Sequence, residues 1–172
     1  MDTRPSHSTP PCVVVGIDPD SSVNRRSVRW AAREAALRGA VLHLVHAWEP
    51  ASAHRAHYAP MHTLVDPTEQ RRRVRELLDA AEQCARHVRP DLTVVRRPIE
   101  GPSVSVLLGA AHEAALLVLG SRPRQADGRP LGPVTRECLR CARCPVVTVG
   151  AIPGEDYGRP IPDATHTAGA MQ

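Results

Sequence analysis

The sequence of 172 residues contains no lysine and no phenylalanine. All 22 basic residues are therefore arginines, and together with the many alanines, prolines and glycines they indicate GC-biased coding, so their number says little about function. Aromatic residues are also rare, with two tryptophans and two tyrosines. The formal net charge of +4 permits contact with anions, but the chain has few aromatic side chains on which nucleic-acid bases could stack. We therefore expect no binding to nucleic acid.

Long apolar runs are absent as well. A membrane span needs about 20 apolar residues, and the polar start MDTRPSHSTPP lacks the apolar core of a secretory signal. These absences predict a cytoplasmic protein that makes no contact with a membrane. The sequence also lacks a G-x-S-x-G nucleophile elbow, a Walker sequence and a pair of carboxylates at neighbouring strand ends. We therefore do not expect an enzyme.

Short apolar runs alternate along the chain with stretches of helical periodicity. This alternation predicts an α/β fold, namely a five-stranded parallel sheet with helices on both faces. Strands are predicted at residues 12–18, 41–48, 91–99, 115–119 and 145–149. Helices are predicted from the turn after residue 18 to about residue 38, and at 67–88, 104–111 and 132–142. Residues 1–11 and 151–172 are predicted to be disordered, which leaves a single domain at 12–150.

Three of the predicted strand ends carry residues that suit a nucleotide. Asp18 follows the first strand, Ala47 lies at the end of the second, and Gly120 follows the fourth. In parallel sheets, ligands bind above the carboxyl ends of the strands near a reversal in strand order. A carboxylate there can hold a ribose hydroxyl, a small side chain leaves room for adenine, and a glycine lets phosphate approach. The helix that opens near Gly132 offers free N–H groups and a favourable dipole. Asp18 has a second interpretation, as a cap on the turn that follows it.

The sequence resembles the universal stress protein family in segments that cover nearly the whole predicted domain. These segments are VVVGIDPDSS, VRWAAREAALRGAVLHLVHAW, LLVLGSRPR and CPVVTVG. The resemblance implies a fold of the adenine nucleotide alpha hydrolase-like type, often dimeric through its last strand. Many members bind ATP through a loop of pattern G-x2-G-x9-G-[ST] after the fourth strand, whereas members without that pattern hold no nucleotide. Carried over by position, the resemblance assigns nucleotide-binding roles to Asp18, Ala47, Gly120 and Gly132.

The phosphate loop departs from the family pattern at two positions. Pro123 replaces the second glycine, Pro133 replaces the serine or threonine, and the spacer between Pro123 and Gly132 is one residue short. Proline donates no N–H, and the loss of two or three phosphate hydrogen bonds at about 1.5–3 kcal/mol each would weaken ATP binding by several powers of ten. Thr135 lies further along the helix and could replace the hydroxyl in part. Three arginines could supply positive charge instead, namely Arg122, Arg124 and Arg129.

Two functional hypotheses follow from these residues. The first is a regulatory, non-catalytic stress-response module with a weakened adenine-nucleotide site, which acts through dimerisation or through contact with an unknown protein partner. The alternative is an ATP-binding stress switch with slow ATP hydrolysis. In either case the resemblance implies a homodimer formed through the last strand, and ATP would bring Mg²⁺ with it.

Cysteine and histidine clusters raise the question of a metal site. The C-x2-C-x2-C run of Cys138, Cys141 and Cys144 has a spacing known from metal centres. We interpret it as packing of small thiols on the inner face of a helix, because a closed metal site normally needs four ligands. Three histidines in the long loop have a metal-compatible spacing but no acidic or thiol companion, namely His54, His57 and His62. His46, at the end of a central strand, is interpreted as a core residue with a satisfied hydrogen bond.

Overall fold

The computed structural model of this chain describes residues 10–19, 21–50, 66–121 and 131–150, in which five strands alternate with four helices. The strands are β1 Cys12–Gly16, β2 Val41–Trp48, β3 Val94–Glu100, β4 Leu116–Gly120 and β5 Val146–Val149. The helices are α1 Ser21–Leu37, α2 Pro67–Val88, α3 Ser103–Ala110 and α4 Pro133–Cys141. Disorder is predicted for residues 1–11 and 151–172, of which 1–9 and 151–172 lie outside the described part of the chain. The carbonyl oxygen of Pro11 accepts a hydrogen bond of 2.9 Å from the Val41 N–H.

The five strands form one parallel sheet in the order β3-β2-β1-β4-β5, which confirms the predicted fold class. Val14 of β1 lies opposite His43 of β2 on one side and opposite Leu117 of β4 on the other. The chain builds outward from β1 through β2 to β3, then returns to form β4 and β5 on the opposite side of β1. The strand order therefore reverses between β1 and β4. The carboxyl ends of these two strands border the crevice in which such sheets bind ligands.

Helices cover both faces of the sheet and enclose two apolar cores. On one face α1 and α2 pack against β1, β2 and β4, and on the other face α3 and α4 do so. Val13, Val14 and Val15 are completely buried, so β1 is apolar on both faces, as a central parallel strand requires. Each such side chain stabilises the fold by roughly 1.5–3 kcal/mol relative to an exposed one. The position of β1 is therefore fixed from both sides.

Helix α2 begins and ends at the residues predicted from the sequence. The Asp66 carboxylate accepts a hydrogen bond of 2.9 Å from the Thr68 N–H, which caps the helix. Pro67 occupies the first helical position, where its missing N–H has no helical partner to lose. Although α2 is 22 residues long, it carries charges along its length. Within the described ranges, no helix combines the length and the apolar character that crossing a membrane requires.

Three strands are shorter than the sequence predicts, and the smallest difference is at β5, which begins at Val146 rather than at residue 145. β1 ends at Gly16 rather than at residue 18, because the backbone of Asp18 hydrogen-bonds to the side chain of Asn24 instead of to a neighbouring strand. β3 begins at Val94 rather than at residue 91. There the Leu92 N–H donates to the Arg89 carbonyl oxygen, which makes a turn that places Leu92 in the core. At β1 and β3, an apolar residue beside the strand, Ile17 or Leu92, is buried without belonging to it.

Candidate functional site

A cavity of about 150 Å³ opens at the carboxyl ends of β1, β2 and β4, where the strand order reverses. Four residues that the sequence marks as candidates line it, one after β1, one in β2, one in β4 and one in α4. These are Asp18, Ala47, Gly120 and Thr135. The fold therefore brings together residues that are up to 117 positions apart in the chain, 135 minus 18.

Asp18 is held in place by a side chain that the sequence analysis did not single out. The Asp18 N–H donates to Oδ1 of Asn24 at 2.8 Å, and Nδ2 of Asn24 donates to the Asp18 carbonyl oxygen at 2.6 Å. Asn24 is only 5% exposed, and its own carbonyl oxygen accepts a hydrogen bond of 3.0 Å from the Ser27 hydroxyl. The first turns of α1 are thereby fixed to the end of β1, and Asn24 itself lines the cavity.

His46 joins the end of β1 to β2. Its Nδ1 lies 2.8 Å from the carbonyl oxygen of Ile17, and because a carbonyl can only accept, Nδ1 carries the proton. The Ile17 N–H donates to the Val45 carbonyl oxygen at 2.8 Å, so Ile17 is bound to β2 through both of its backbone groups. His46 is 6% exposed. This geometry agrees with its interpretation as a core residue with a satisfied hydrogen bond.

Two glycines have conformational roles at this site, Gly16 in the cavity wall and Gly101 in the turn that leads to it. A Cβ atom at Gly16 would lie 2.9 Å from Cδ2 of Leu119 and 3.1 Å from Cδ2 of Leu107, closer than packed carbon atoms approach. Gly101 has a φ of 139°, a conformation that L side chains rarely adopt, and its N–H donates to the Trp48 carbonyl oxygen at 2.9 Å. That turn leads directly into α3. It brings Ser103, at the start of α3, to the cavity.

The amino-terminal ends of α3 and α4 both face this cavity. Ser103 begins α3, and Val134 and Thr135 lie in the first turn of α4. Helix amino termini carry partial positive charge and unpaired N–H groups, and they therefore favour anions. Thr135, which is 8% exposed, lines the cavity from the first turn of α4 and brings a hydroxyl-bearing side chain to this helix end.

The predicted phosphate-loop residues are only partly described. Gly132 is the N-cap of α4 and makes no side-chain cap, and Pro133 occupies the first helical turn. Gly132 lies next to the cavity in the chain but is not among the described residues that line it. Arg122, Pro123 and the other predicted loop arginines lie outside the described residues. Sequence reasoning missed Ser103, which carries no motif, and Asn24.

The cysteines are buried or half-buried thiols. Burial, and to a smaller extent the neighbouring Cys141 and Glu137, raise the pKa of Cys138 to about 11. Burial also raises the pKa of Cys12, Cys141 and Cys144, so at neutral pH these groups are thiols rather than thiolates. Within the ranges that the structure covers, no three His, Cys, Asp or Glu side chains gather as metal ligands would. His54, His57 and His62 lie outside those ranges.

Comparison with known proteins gives concordant matches. The sequence profile of the Universal stress protein family matches residues 12–150. The chain is 36% identical over 141 residues to Universal stress protein Rv2623 of Mycobacterium tuberculosis, an alignment covering 80% of this chain and 46% of that protein. The chain thus spans about half the length of the curated relatives it matches.

Solved structures of the same family share the fold. A universal stress protein in complex with cAMP is 26% identical, with a TM-score of 0.61 and coverage of 83% of this chain and 98% of that one. A universal stress protein from Archaeoglobus fulgidus is 25% identical, with a TM-score of 0.64 and coverage of 80% and 97%.

The two hydrogen bonds between Asn24 and Asp18 predict the effect of removing that amide. Asn24→Ala removes both of these hydrogen bonds to the Asp18 backbone, and we expect it to lower the free energy of unfolding by about 2–3 kcal/mol. Urea unfolding followed by circular dichroism measures this change. Gln83→Ala removes an exposed amide from α2 and is the matched control, expected to change stability by less than about 0.5 kcal/mol. Equal stability of the two variants would contradict the assigned role of Asn24.

Proposed function

This chain belongs to the universal stress protein family, and on that premise we propose that it is a regulatory stress-response module that binds an adenine nucleotide weakly and catalyses no reaction. The observation that carries the proposal is the cavity at the strand-order reversal, lined by Asp18, Ala47, Gly120 and Thr135. We place the protein in the cytoplasm. Its five cysteines are all free thiols, and free thiols persist in reducing compartments.

The chemistry of the cavity suits an adenine nucleotide. The Asp18 carboxylate can accept hydrogen bonds from ribose hydroxyls, and the small side chain of Ala47 leaves the β2 backbone accessible to the base. Gly120 and the amino terminus of α4 can accept the phosphate, because glycine permits close approach and the helix end is electropositive. The related structure that holds cAMP supports this choice of ligand class.

Weak binding follows from the proline at the start of α4 and from the size of the cavity. Pro133 offers neither an N–H nor a hydroxyl at the helix end that the phosphate would approach. The cavity of about 150 Å³ is smaller than the roughly 300–1,000 Å³ of typical ligand pockets. It has room for part of a nucleotide, and the remaining phosphates would lie outside the cavity, beyond the carboxyl ends of the strands. Fewer hydrogen bonds and less burial both reduce affinity.

The second candidate function is an ATP-binding switch with slow hydrolysis. It requires that charge from the arginines of the loop, Arg122 foremost, compensate for Pro123 and Pro133. Mg²⁺ would then enter with ATP as the counterion of its phosphates. Thr135 favours this alternative, because it places a hydroxyl beside the helix terminus that lacks one at Pro133.

We further propose that the protein forms a homodimer through β5. The two edges of the sheet differ in kind. β3 carries Arg96, Arg97 and Pro98, and charges and proline are features that prevent an edge strand from pairing. β5 consists of Val146, Val147, Thr148 and Val149, without charge or proline. Among the described strands it pairs with β4 alone, which leaves its outer side for a second copy of the chain.

Calorimetric titration with ATP and Mg²⁺, with AMP in a parallel titration, tests the nucleotide proposal. We expect weak binding of both nucleotides, and we expect Asp18→Ala to reduce their affinity by about 10–100-fold through the loss of a charge-assisted hydrogen bond. Asp91→Ala removes an exposed carboxylate far from the cavity and is the control. No heat with either nucleotide at millimolar concentration would contradict the proposal. Tight binding of ATP but not of AMP would favour the switch.

Pro133 allows a gain-of-function test. Pro133→Ser restores an N–H and a hydroxyl at the start of α4, and each added phosphate hydrogen bond should tighten ATP binding by about tenfold. Pro67→Ser makes the same substitution at the first position of α2, remote from the cavity, and should leave ATP affinity unchanged. The same titration measures both variants. Equal ATP affinity of Pro133→Ser and wild type would mean that this position does not limit binding.

The dimer proposal predicts which backbone N–H groups of β5 form hydrogen bonds with the second copy. The carbonyl oxygens of Pro145 and Val149 accept hydrogen bonds from β4, so the N–H of Thr148 alternates to the outer side of β5. Thr148→Pro removes that donor and should convert the dimer to a monomer in sedimentation equilibrium. Val94→Pro is the control, because it alters the outer edge of β3 instead. A monomeric wild-type protein, or a Thr148→Pro variant that remains dimeric, would disprove the proposal.

A further inference from the structure

A groove runs along the outer surface between α1 and α2, away from the nucleotide cavity. It consists of two adjoining cavities of about 420 and 430 Å³ that share Arg29 and His87 in their linings. The floor of the first is apolar: Leu77, Ala80 and Cys84 are its accessible part, and the buried Val28 and Ala81 lie beneath them. From Asn24 to Leu37 the α1 wall of this groove is about 20 Å long at the helical rise. The groove is elongated, and it ends at Leu37, which is 77% exposed.

Arginines form one rim of the groove. Arg25, Arg29 and Arg33 follow one another at every fourth position of α1, and all three are exposed. In the part of the chain that the structure describes, none of the three has a carboxylate within ion-pair distance. Like charges four residues apart destabilise a helix, so this stripe weakens α1 unless an anion lies against it. Arg25 and Arg29 also lie close enough to the Cys84 thiol to counteract the rise in its pKa caused by burial.

The carboxylates of α2 are directed away from this groove. Glu69 pairs with Arg73 at 2.8 Å, and Glu82 pairs with Arg86 at 2.8 Å and with Arg96 of β3 at 3.1 Å. Neither cavity has an acidic side chain among its described lining residues. The groove therefore combines an apolar floor with positive charge that the described chain does not neutralise.

We propose that the groove between α1 and α2 binds an acidic amphipathic helix of a partner protein. An amphipathic helix lays its apolar face on an apolar floor, and carboxylates along its flank would face the Arg25, Arg29 and Arg33 stripe. The length of the groove corresponds to three to four helical turns, which exceeds the length of a compact metabolite. A nucleic-acid strand would satisfy the arginines but not the apolar floor. The proposal rests on the proposed function only in that the protein acts through partner contact.

The test uses a designed helical peptide of about four turns, with leucines on one face and glutamates along its flank. A peptide of the same composition in scrambled order is the first control, and a single-stranded oligothymidine is the second. Fluorescence anisotropy with the full chain measures affinity, and amide chemical shifts of isotope-labelled protein locate the bound peptide. We expect the designed peptide to bind and to shift amides of α1 and α2. We expect the two controls to bind at least about tenfold more weakly, because neither matches both floor and rim.

Two charge-matched variants then test the arginine rim. Arg29→Gln with Arg33→Gln should weaken peptide binding about tenfold, through the loss of two ion pairs. Arg71→Gln with Arg75→Gln removes the same charge from an exposed pair at the same spacing on α2, outside both cavity linings, and should change affinity less than twofold. Circular dichroism verifies that both variants are folded.

Each contrary result overturns the proposal. These results are the absence of peptide binding at millimolar concentration, equal weakening by the two double variants, and displacement of the peptide by oligothymidine at equal affinity. The nucleotide titrations distinguish failure of this peptide-binding proposal from failure of the proposed nucleotide binding. The Arg29 and Arg33 variant should bind AMP as wild type does, since neither residue lines the nucleotide cavity.

Discussion

The burial of β1 on both faces and along both edges is the constraint on which the rest of this structure depends. Val13, Val14 and Val15 are completely buried, and the strand pairs with β2 on one side and with β4 on the other. Because the chain leaves β1 in one direction and later returns on its other side, the ends of β1 and β4 lie next to each other without a connecting loop between them. The crevice that results is a consequence of the topology alone. The residues that follow these two strands decide what the crevice binds.

Much of the fold could be predicted because each element carries its own local signal. The bounds of α2 are marked by the cap at Asp66, by Pro67 and by the end of its apolar period near Val88, and the structure has the same bounds. Strand ends were less predictable, since an apolar residue serves equally in a strand or in a buried turn. Leu92 illustrates this ambiguity, because it is buried through a turn formed with Arg89 rather than within β3.

Residues of the candidate site could be predicted only where they lie at the carboxyl end of a predicted strand. Asp18, Ala47 and Gly120 were found because position in a parallel strand implies position at the crevice. Asn24 was missed, although a signal was present, since it lies four residues before Val28 on the buried side of α1. A polar residue on an apolar helix face needs a buried partner, and here that partner is the backbone of Asp18. Ser103 offered no such signal, because only the turn at Gly101 directs α3 toward the cavity.

For the arginines, composition explains their number, whereas the structure shows which of them form ion pairs. Biased coding accounts for the number of arginines and for the absence of lysine, but it does not determine which arginines have partners. Glu69, Glu76 and Glu82 of α2 each pair with arginines of their own helix. Opposite the arginine stripe, the described lining consists of small and apolar residues with Gln83, His87 and Arg89, and none of these is acidic. Exposed arginines also occur elsewhere, as Arg71 and Arg75 of α2 show, but the stripe on α1 borders an apolar groove and therefore forms one continuous surface for an anionic partner.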